Sequence, residues 1–283
     1  MDKLVEIPLQ GLIDLREIYK REWPKEDIGF YVLTNFINWL EKKLFVENFH
    51  AYSLNGDYSD GTFVILYMTK LFGHTLNKDT SRLRRALCLL DLDGTSYYRY
   101  YYNDQDRSAV WSFIKEKQIV TRNEWEFIWY YLTPEIGSKI IVPPLPKGFV
   151  AETIREVDLP EVNEAWLFRY PKSIDRLKWL IRYNENIGLY TESGELAAWV
   201  LRYEFGAVAM LHVKDDFRRQ GLGMYLAKAI SKKIADAGGY ASGTIKEENE
   251  VSNRIFESIG YEKNGIMYCI EILPSSPISD GNN

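Results

Sequence analysis

Cysteine is scarce in this chain: Cys88 and Cys269 are the only two among 283 residues. Two thiols so far apart in sequence cannot build a disulfide framework, and they predict a reduced, cytoplasmic setting, with a mitochondrial one as the alternative. Histidine is nearly as rare. His50, His74 and His212 show no ligand spacing, so no metal is expected. No uninterrupted apolar run reaches the length of a bilayer, which excludes a transmembrane helix and argues against a membrane partner. Basic charge is not in surplus either: 35 Lys and Arg face 40 Asp and Glu, a net charge of −5. Nucleic-acid binding favours a basic face, so no such partner is expected. The opening Met1-Asp2-Lys3-Leu4-Val5-Glu6 has early acids and no apolar h-region, which predicts neither a secretory signal nor a transit peptide.

What is present is the composition of a globular protein, 46% hydrophobic and 27% charged. The length suits two domains, each able to bury a core. The stretch Ile141-Val142-Pro143-Pro144-Leu145-Pro146-Lys147-Gly148 marks the boundary, because proline removes donors and forces extended backbone. The expected division is an N-terminal α/β domain over 1–146, a second domain over 147–273, and a disordered tail over 274–283.

Before the boundary, apolar spacing predicts helices at 9–21, 31–44, 81–90 and 107–120, and strands at 62–69 and 97–102. Thr121-x-x-Glu124 reads as a capping box opening a further helix, which would carry Trp125, Phe127, Trp129 and Tyr130. The tyrosine run over 97–102 invites base stacking, but aromatic residues favour pleated surfaces and no basic patch adjoins it, so a strand is the simpler assignment. After the boundary the predicted order is strand 149–157, helices within 160–183, and strands 187–191, 196–203 and 207–213. Helix 221–237, strand 240–246, helix 250–259 and strand 266–273 follow. Alternating helices and strands give an α/β (α+β) fold class.

The most telling stretch runs from Leu211 to Leu226. An apolar strand enters a short polar turn, then Arg218-x-x-Gly221-x-Gly223, then an apolar-periodic helix. Backbone N–H groups and the positive end of a helix dipole converge there, which suits a diphosphate. A P-loop would need Gly-Lys-Ser/Thr where Met224-Tyr225 stands, and a dinucleotide fingerprint would need a small residue at Leu226. What remains resembles the Arg/Gln-x-x-Gly-x-Gly/Ala pattern of acyl-CoA-dependent acyltransferases.

Downstream, Asn249-x-x-Ser252-x-x-x-Phe256-x-x-x-Gly260-Tyr261 is similar to the closing segment of the GNAT acyltransferase superfamily. Within it the chain most resembles the glycine N-acyltransferase-like proteins, through Val162-Asn163-Glu164-Ala165-Trp166-Leu167-Phe168, the Glu192–Glu195 turn and the acyl-CoA motif. The resemblance is specific over 160–262. It implies a C-terminal GNAT domain, with the N-terminal half either an acceptor-side domain or a degenerate GNAT-like copy.

The resemblance also implies acetyl-CoA or another acyl-CoA as co-substrate. The strand before the motif would splay from its neighbour and pair the pantetheine arm with the backbone of Leu211 and Val213. The diphosphate would sit on the N–H groups of Arg219, Gln220, Gly221, Leu222, Gly223 and Met224, beside Arg218. The Val213 N–H would bond the thioester oxygen as a small amine, glycine or another amino acid, attacks directly; oxyanion donors of this kind contribute about 3 kcal/mol. Asn249 would bond pantetheine and Ser252 a CoA phosphate, or both simply cap a helix.

Two departures stand out. The family's glutamate base position, just after a glycine, is Ala207, and its tyrosine acid position is Phe256. His212 has the right intrinsic pKa for a base, but strand alternation turns it from the face of 207, 209, 211 and 213 unless a bulge intervenes. Glu204 and Tyr203 lie at the adjoining turn, and Tyr268 and Cys269 lie on the last strand. Without a base, the alternative is a catalytically weak or inactive acyl-CoA-binding protein acting as a sensor or interaction module. A protein lysine or N-terminal acetyltransferase is a third reading.

Overall fold

The computed structural model describes residues 1–24, 27–42, 48–92, 94, 96–170 and 173–274. The chain divides into two compact units, Met1–Ile128 with Asn264–Asn283, and Trp129–Lys263.

The first unit opens with β1 (Leu4–Glu6), α1 (Leu9–Glu22), α2 (Asp27–Glu41), β2 (Phe49–Leu54), β3 (Phe63–Tyr67) and β4 (Lys70–His74). It continues with α3 (Ser81–Cys88), β5 (Tyr98–Asn103), α4 (Arg107–Glu116) and β6 (Thr121–Leu132), whose last four residues fall in the second unit. β1 to β4 form an antiparallel meander, and β4 runs parallel to β5. The last described strand, β12 (Glu262–Ile272), pairs antiparallel with β5, from Met267 opposite Asn103 to Ile272 opposite Tyr98. Leu83, Leu87, Val110 and Phe113 of α3 and α4 bury against Tyr100 and Tyr102 of β5 and Ile270 of β12.

In the second unit come α5 (Pro134–Gly137), β7 (Phe149–Glu152), α6 (Leu159–Glu164), α7 (Ser173–Tyr183), β8 (Asn186–Thr191) and β9 (Leu196–Arg202). β10 (Ala207–Val213), α8 (Leu222–Asp236), β11 (Ala241–Ile245) and α9 (Glu250–Ile259) complete it. Here too an antiparallel meander, β7 to β10, is followed by a parallel partner, β11. The element order β-α-α-β-β-β-α-β-α-β therefore occurs twice along the chain.

Three expectations need correction. Residues 121–132 form a strand, not a helix. Glu124 caps nothing; it accepts from Tyr102, from Arg107 at 2.8 Å and from Trp111 at 3.3 Å, so a run rich in Trp, Tyr and Phe took the conformation those residues favour. The compact units do not divide at 146/147. The proline stretch interrupts regular structure locally, yet it lies inside the second unit, while pairing between β5 and β12 draws the chain's end into the first. β1, β2 and β4 are strands that no sequence signal had marked. The tail expected from 274 onward lies outside the described residues beyond Pro274.

Candidate acyl-CoA site

β10 carries the geometry that matters. Its first two residues pair with β11, Ala207 with Ser242 and Val208 with Gly243, and there the parallel ladder stops. From Ala209 to Val213 the strand changes from buried to half-buried. On the other side β10 stays paired with β9, but with a slip: Ala209 faces Leu201, whereas His212 faces Trp199. Three residues oppose two, so one extra residue bulges out, and Met210 takes φ +53° to make it.

The bulge re-aims everything after it. Paired residues share a face, so His212 joins Ala207 and Ala209 on one side of the sheet, and Val213 joins Val208 on the other. The expectation from simple alternation, that His212 turns away from 207 and 209, is thus overturned by the bulge. His212 stacks on Trp199, ring centroids 4.5 Å apart and planes 23° from parallel. Burial, and after it the Arg218 charge, hold the imidazole below its ordinary value.

Beyond the bulge, the Lys214 N–H donates to Ala197 O at 3.0 Å. Antiparallel pairs alternate, so the 213/198 pair does not exchange hydrogen bonds, and the Val213 N–H and C=O point away from β9. The carbonyl accepts from Arg218 Nε at 3.3 Å, and the same guanidinium meets Asp215 at 2.6 Å. Arg218 thus makes surface contacts with the strand end while its side chain stays largely exposed. Leu211 lies within the bulged segment, half-buried.

The turn that follows has two residues in the left-handed region, Arg219 at φ +62° and Gly221 at φ +79°. A Cβ built on Gly221 would meet nothing within 4 Å. Flanking Gln220 in this way makes a concave row of amides of the kind that holds anions. Among the described residues, no protein acceptor takes the N–H groups of Arg219, Gln220, Gly221, Leu222, Gly223 or Met224; the first capping bond is Tyr225 N–H to Gly221 O. α8 has no acid in its first turn to neutralise this end. A Cβ on Gly223 would make only ordinary contact with Val213 Cγ2, at 3.7 Å.

Other expected residues are employed elsewhere. Glu204 is fully buried in a forked ion pair with Arg176 of α7, with contacts of 2.8, 3.1 and 3.2 Å, so it is not a free base. Tyr203 packs beside the same guanidinium, 4.3 Å from its ring centroid. Asn249 caps α9, accepting from Ser252 N–H at 3.2 Å. Phe256 is core: its ring fills the space a Cβ on Gly243 would need, and it packs tilted against Tyr261, centroids 4.5 Å apart. Tyr268 belongs to the first unit, donating to Asp104 at 2.6 Å, and Cys269 is buried beside it in β12. Sequence reasoning missed Trp199, Arg176 and Ser242. Ser242 stands opposite Ala207, and its buried Oγ has no hydrogen-bond partner among the described residues.

Residues 186–270 match the family model described as FR47-like protein. No curated protein matches the chain. Among solved structures, a Drosophila protein superposes with a TM-score of 0.88 at 22% identity, over 98% of this chain and 100% of that one. A GCN5-related N-acetyltransferase from Sphaerobacter thermophilus gives 0.56 at 12% identity, over 95% of each chain. A tandem GNAT protein from the clavulanic acid biosynthesis pathway gives 0.55 at 12%, over 98% and 99%. At such identities the likeness is one of fold. The chain has the GNAT fold, with a second half built on the same element order, and the FR47-like segment lies in its C-terminal half.

Proposed function

We propose that the protein is an acyl-CoA-dependent N-acyltransferase, moving an acetyl or larger acyl group to a small amine such as glycine or another amino acid. One observation carries this reading. β10 leaves its ladder with β11 after Val208, and beyond its end at Val213 comes a turn whose six amides, 219 to 224, find no acceptor among the described residues. The strand edge offers backbone to a pantetheine arm, and the turn offers amides to its diphosphate.

In this reading the chain's residues hold both reactants and no covalent enzyme intermediate forms; orientation supplies much of the rate. The Val213 N–H donates to the thioester oxygen as charge develops there. His212 takes a proton from the acceptor's ammonium before attack. The freed amine adds to the thioester carbon, the C–S bond breaks, and the proton shed by the new amide nitrogen goes to the departing CoA thiolate. Support for the role of His212 comes from the bulge that brings it to the face of Ala207, and from the depressed pKa that keeps the ring neutral near pH 7. The glycine N-acyltransferase-like assignment rests on the sequence segments at 162–168 and 192–195. With Glu204 engaged by Arg176 and Phe256 in the core, a slow enzyme or a pure acyl-CoA binder is the second reading.

Calorimetry with acetyl-CoA, followed by thiol release in the presence of a panel of small amines, tests the proposal. Binding with multiple turnovers supports it. Binding without turnover selects the second reading, and no binding at millimolar acetyl-CoA removes both.

A further inference from the structure

The repeated element order gives the first unit an equivalent of every part of the site. β4 corresponds to β10, the 75–80 turn to the 214–221 turn, α3 to α8, and β5 to β11. The equivalent parts are built differently at each point where a cofactor would need them.

β4 pairs with β3 in unbroken register from Phe63–His74 to Tyr67–Lys70, so no bulge turns its backbone outward. Its parallel ladder with β5 ends at Phe72 and Tyr101. Past that point the protein's own side chains occupy the strand end. Tyr100 OH donates to Gly73 O at 3.4 Å, and Gln105 Nε2 donates to Thr75 O at 2.5 Å. Asp106, fully buried at the start of α4, accepts the Thr75 N–H at 3.2 Å and meets His74 Nδ1 at 2.8 Å.

Alternate amides of the turn are capped in the same manner, while the Arg82 and Leu83 N–H groups that follow in α3 have no acceptor among the described residues. Asn77 N–H goes to Thr75 Oγ1 at 3.2 Å, Asp79 N–H to Asn77 Oδ1 at 3.0 Å, and Ser81 N–H to Asp79 Oδ1 at 3.0 Å. The turn contains no glycine and no residue in the left-handed region. Asp79 of the turn and Asp106 of α4 point carboxyl oxygens at these amides, where a diphosphate would have to sit. The arginines of α3 are taken as well: Arg82 by Asp57, Arg84 by Glu116 and Arg85 by Asp2.

We infer that each chain holds one acyl-CoA, in the second unit, and that the equivalent place in the first unit is sealed by Gln105, Asp106 and the self-capped 75–81 turn. This rests on the acyl-CoA reading of the 213–224 segment. It adds that the first half is a closed copy and not a second catalytic centre.

Calorimetric titration of the full chain with acetyl-CoA gives the stoichiometry, and hydrogen exchange with and without acetyl-CoA gives the place. The expected result is one equivalent per chain, with added protection over 211–224 and none over 73–81. Gly221→Val, which places a branched side chain at φ +79°, is expected to weaken binding at least tenfold and leave no second phase. Two equivalents, protection at 73–81, or full-affinity binding surviving in Gly221→Val would overturn the inference while leaving acyl-CoA binding intact. Zero equivalents would sink the acyl-CoA reading and the single site with it.

Discussion

Replacing Gly221 by alanine isolates the conformational requirement of the amide turn from any steric one. The backbone sits at φ +79°, and an added Cβ meets no atom within 4 Å. The only cost is that of holding an L-residue in the left-handed region, roughly 1–2 kcal/mol. The turn is lightly held against that cost: Gly221 O accepts from Tyr225 N–H at 3.0 Å, but its own N–H finds no acceptor among the described residues, and its neighbours Arg219 and Gln220 are exposed. The turn therefore relaxes, the amides lose their common direction, and affinity falls by the fraction of chains still competent. At about 1.4 kcal/mol per decade this is about 5- to 30-fold in Kd, with little change in Tm. Gly238 provides the contrast. It has φ +75° and equal open space, but its N–H is tied to Ala235 O and that of Gly239 to Ile234 O. There the strain is borne rather than relieved, so Gly238→Ala lowers Tm by about 2–4 °C per kcal/mol and leaves Kd alone. Calorimetry with acetyl-CoA and a thermal melt on both variants decide the matter. An unchanged Kd in Gly221→Ala, or equal losses of affinity in both variants, would refute the reasoning.

The remaining predictions concern the ionisable groups. Glu204→Gln breaks a buried pair with Arg176 and is expected to cost about 3–5 kcal/mol in urea unfolding, with kcat per folded molecule unchanged; selective loss of kcat would restore Glu204 as a base. The His212 imidazole lies below its ordinary value, so near pH 6.5 and lower the unfolded chain binds the proton first. Its contribution to stability is full above about pH 6.5 and is lost as pH falls through the folded value, a slope that His212→Gln removes. The acid limb of kcat/KM is expected to lie below pH 6.5 for the same reason, and a limb at or above it would count against His212. Glu271 of β12 is held below the ordinary carboxylate range: burial opposes ionisation, but Tyr97, Arg122, Arg99 and Asn123 all donate to it and prevail. That stability is present above about pH 4.3 and is lost as pH falls through the folded value. Glu271→Ala, which removes the carboxylate paired with the buried Arg99, costs about 3–5 kcal/mol by the same assay.

Much of the second unit was legible in the sequence. The 207–213 strand and the 250–259 helix fell on their predicted bounds, because each is a clean run of apolar period ended by glycine or capped by Asn249. The glycine turn was legible because few residue types tolerate its backbone. The bulge was not, since methionine at φ +53° is a choice made by the surrounding sheet and carries no local signal. The engagement of Glu204 was hidden too, as its partner Arg176 is 28 residues away and on another element. β6 was misread because a local pattern, Thr121-x-x-Glu124, imitated a helix start while the partners that decide its state lie far along the chain.

The pairing of β12 with β5 sets an order of events during synthesis. Residues 1–128 leave the ribosome as an unfinished layer, with one side of β5 unclosed until 264–272 have been made. Waiting edges of this kind invite association with other chains. The first half of this protein thus depends for its completion on residues 264–272, made long after it, and truncation before Asn264 would damage the amino-terminal half.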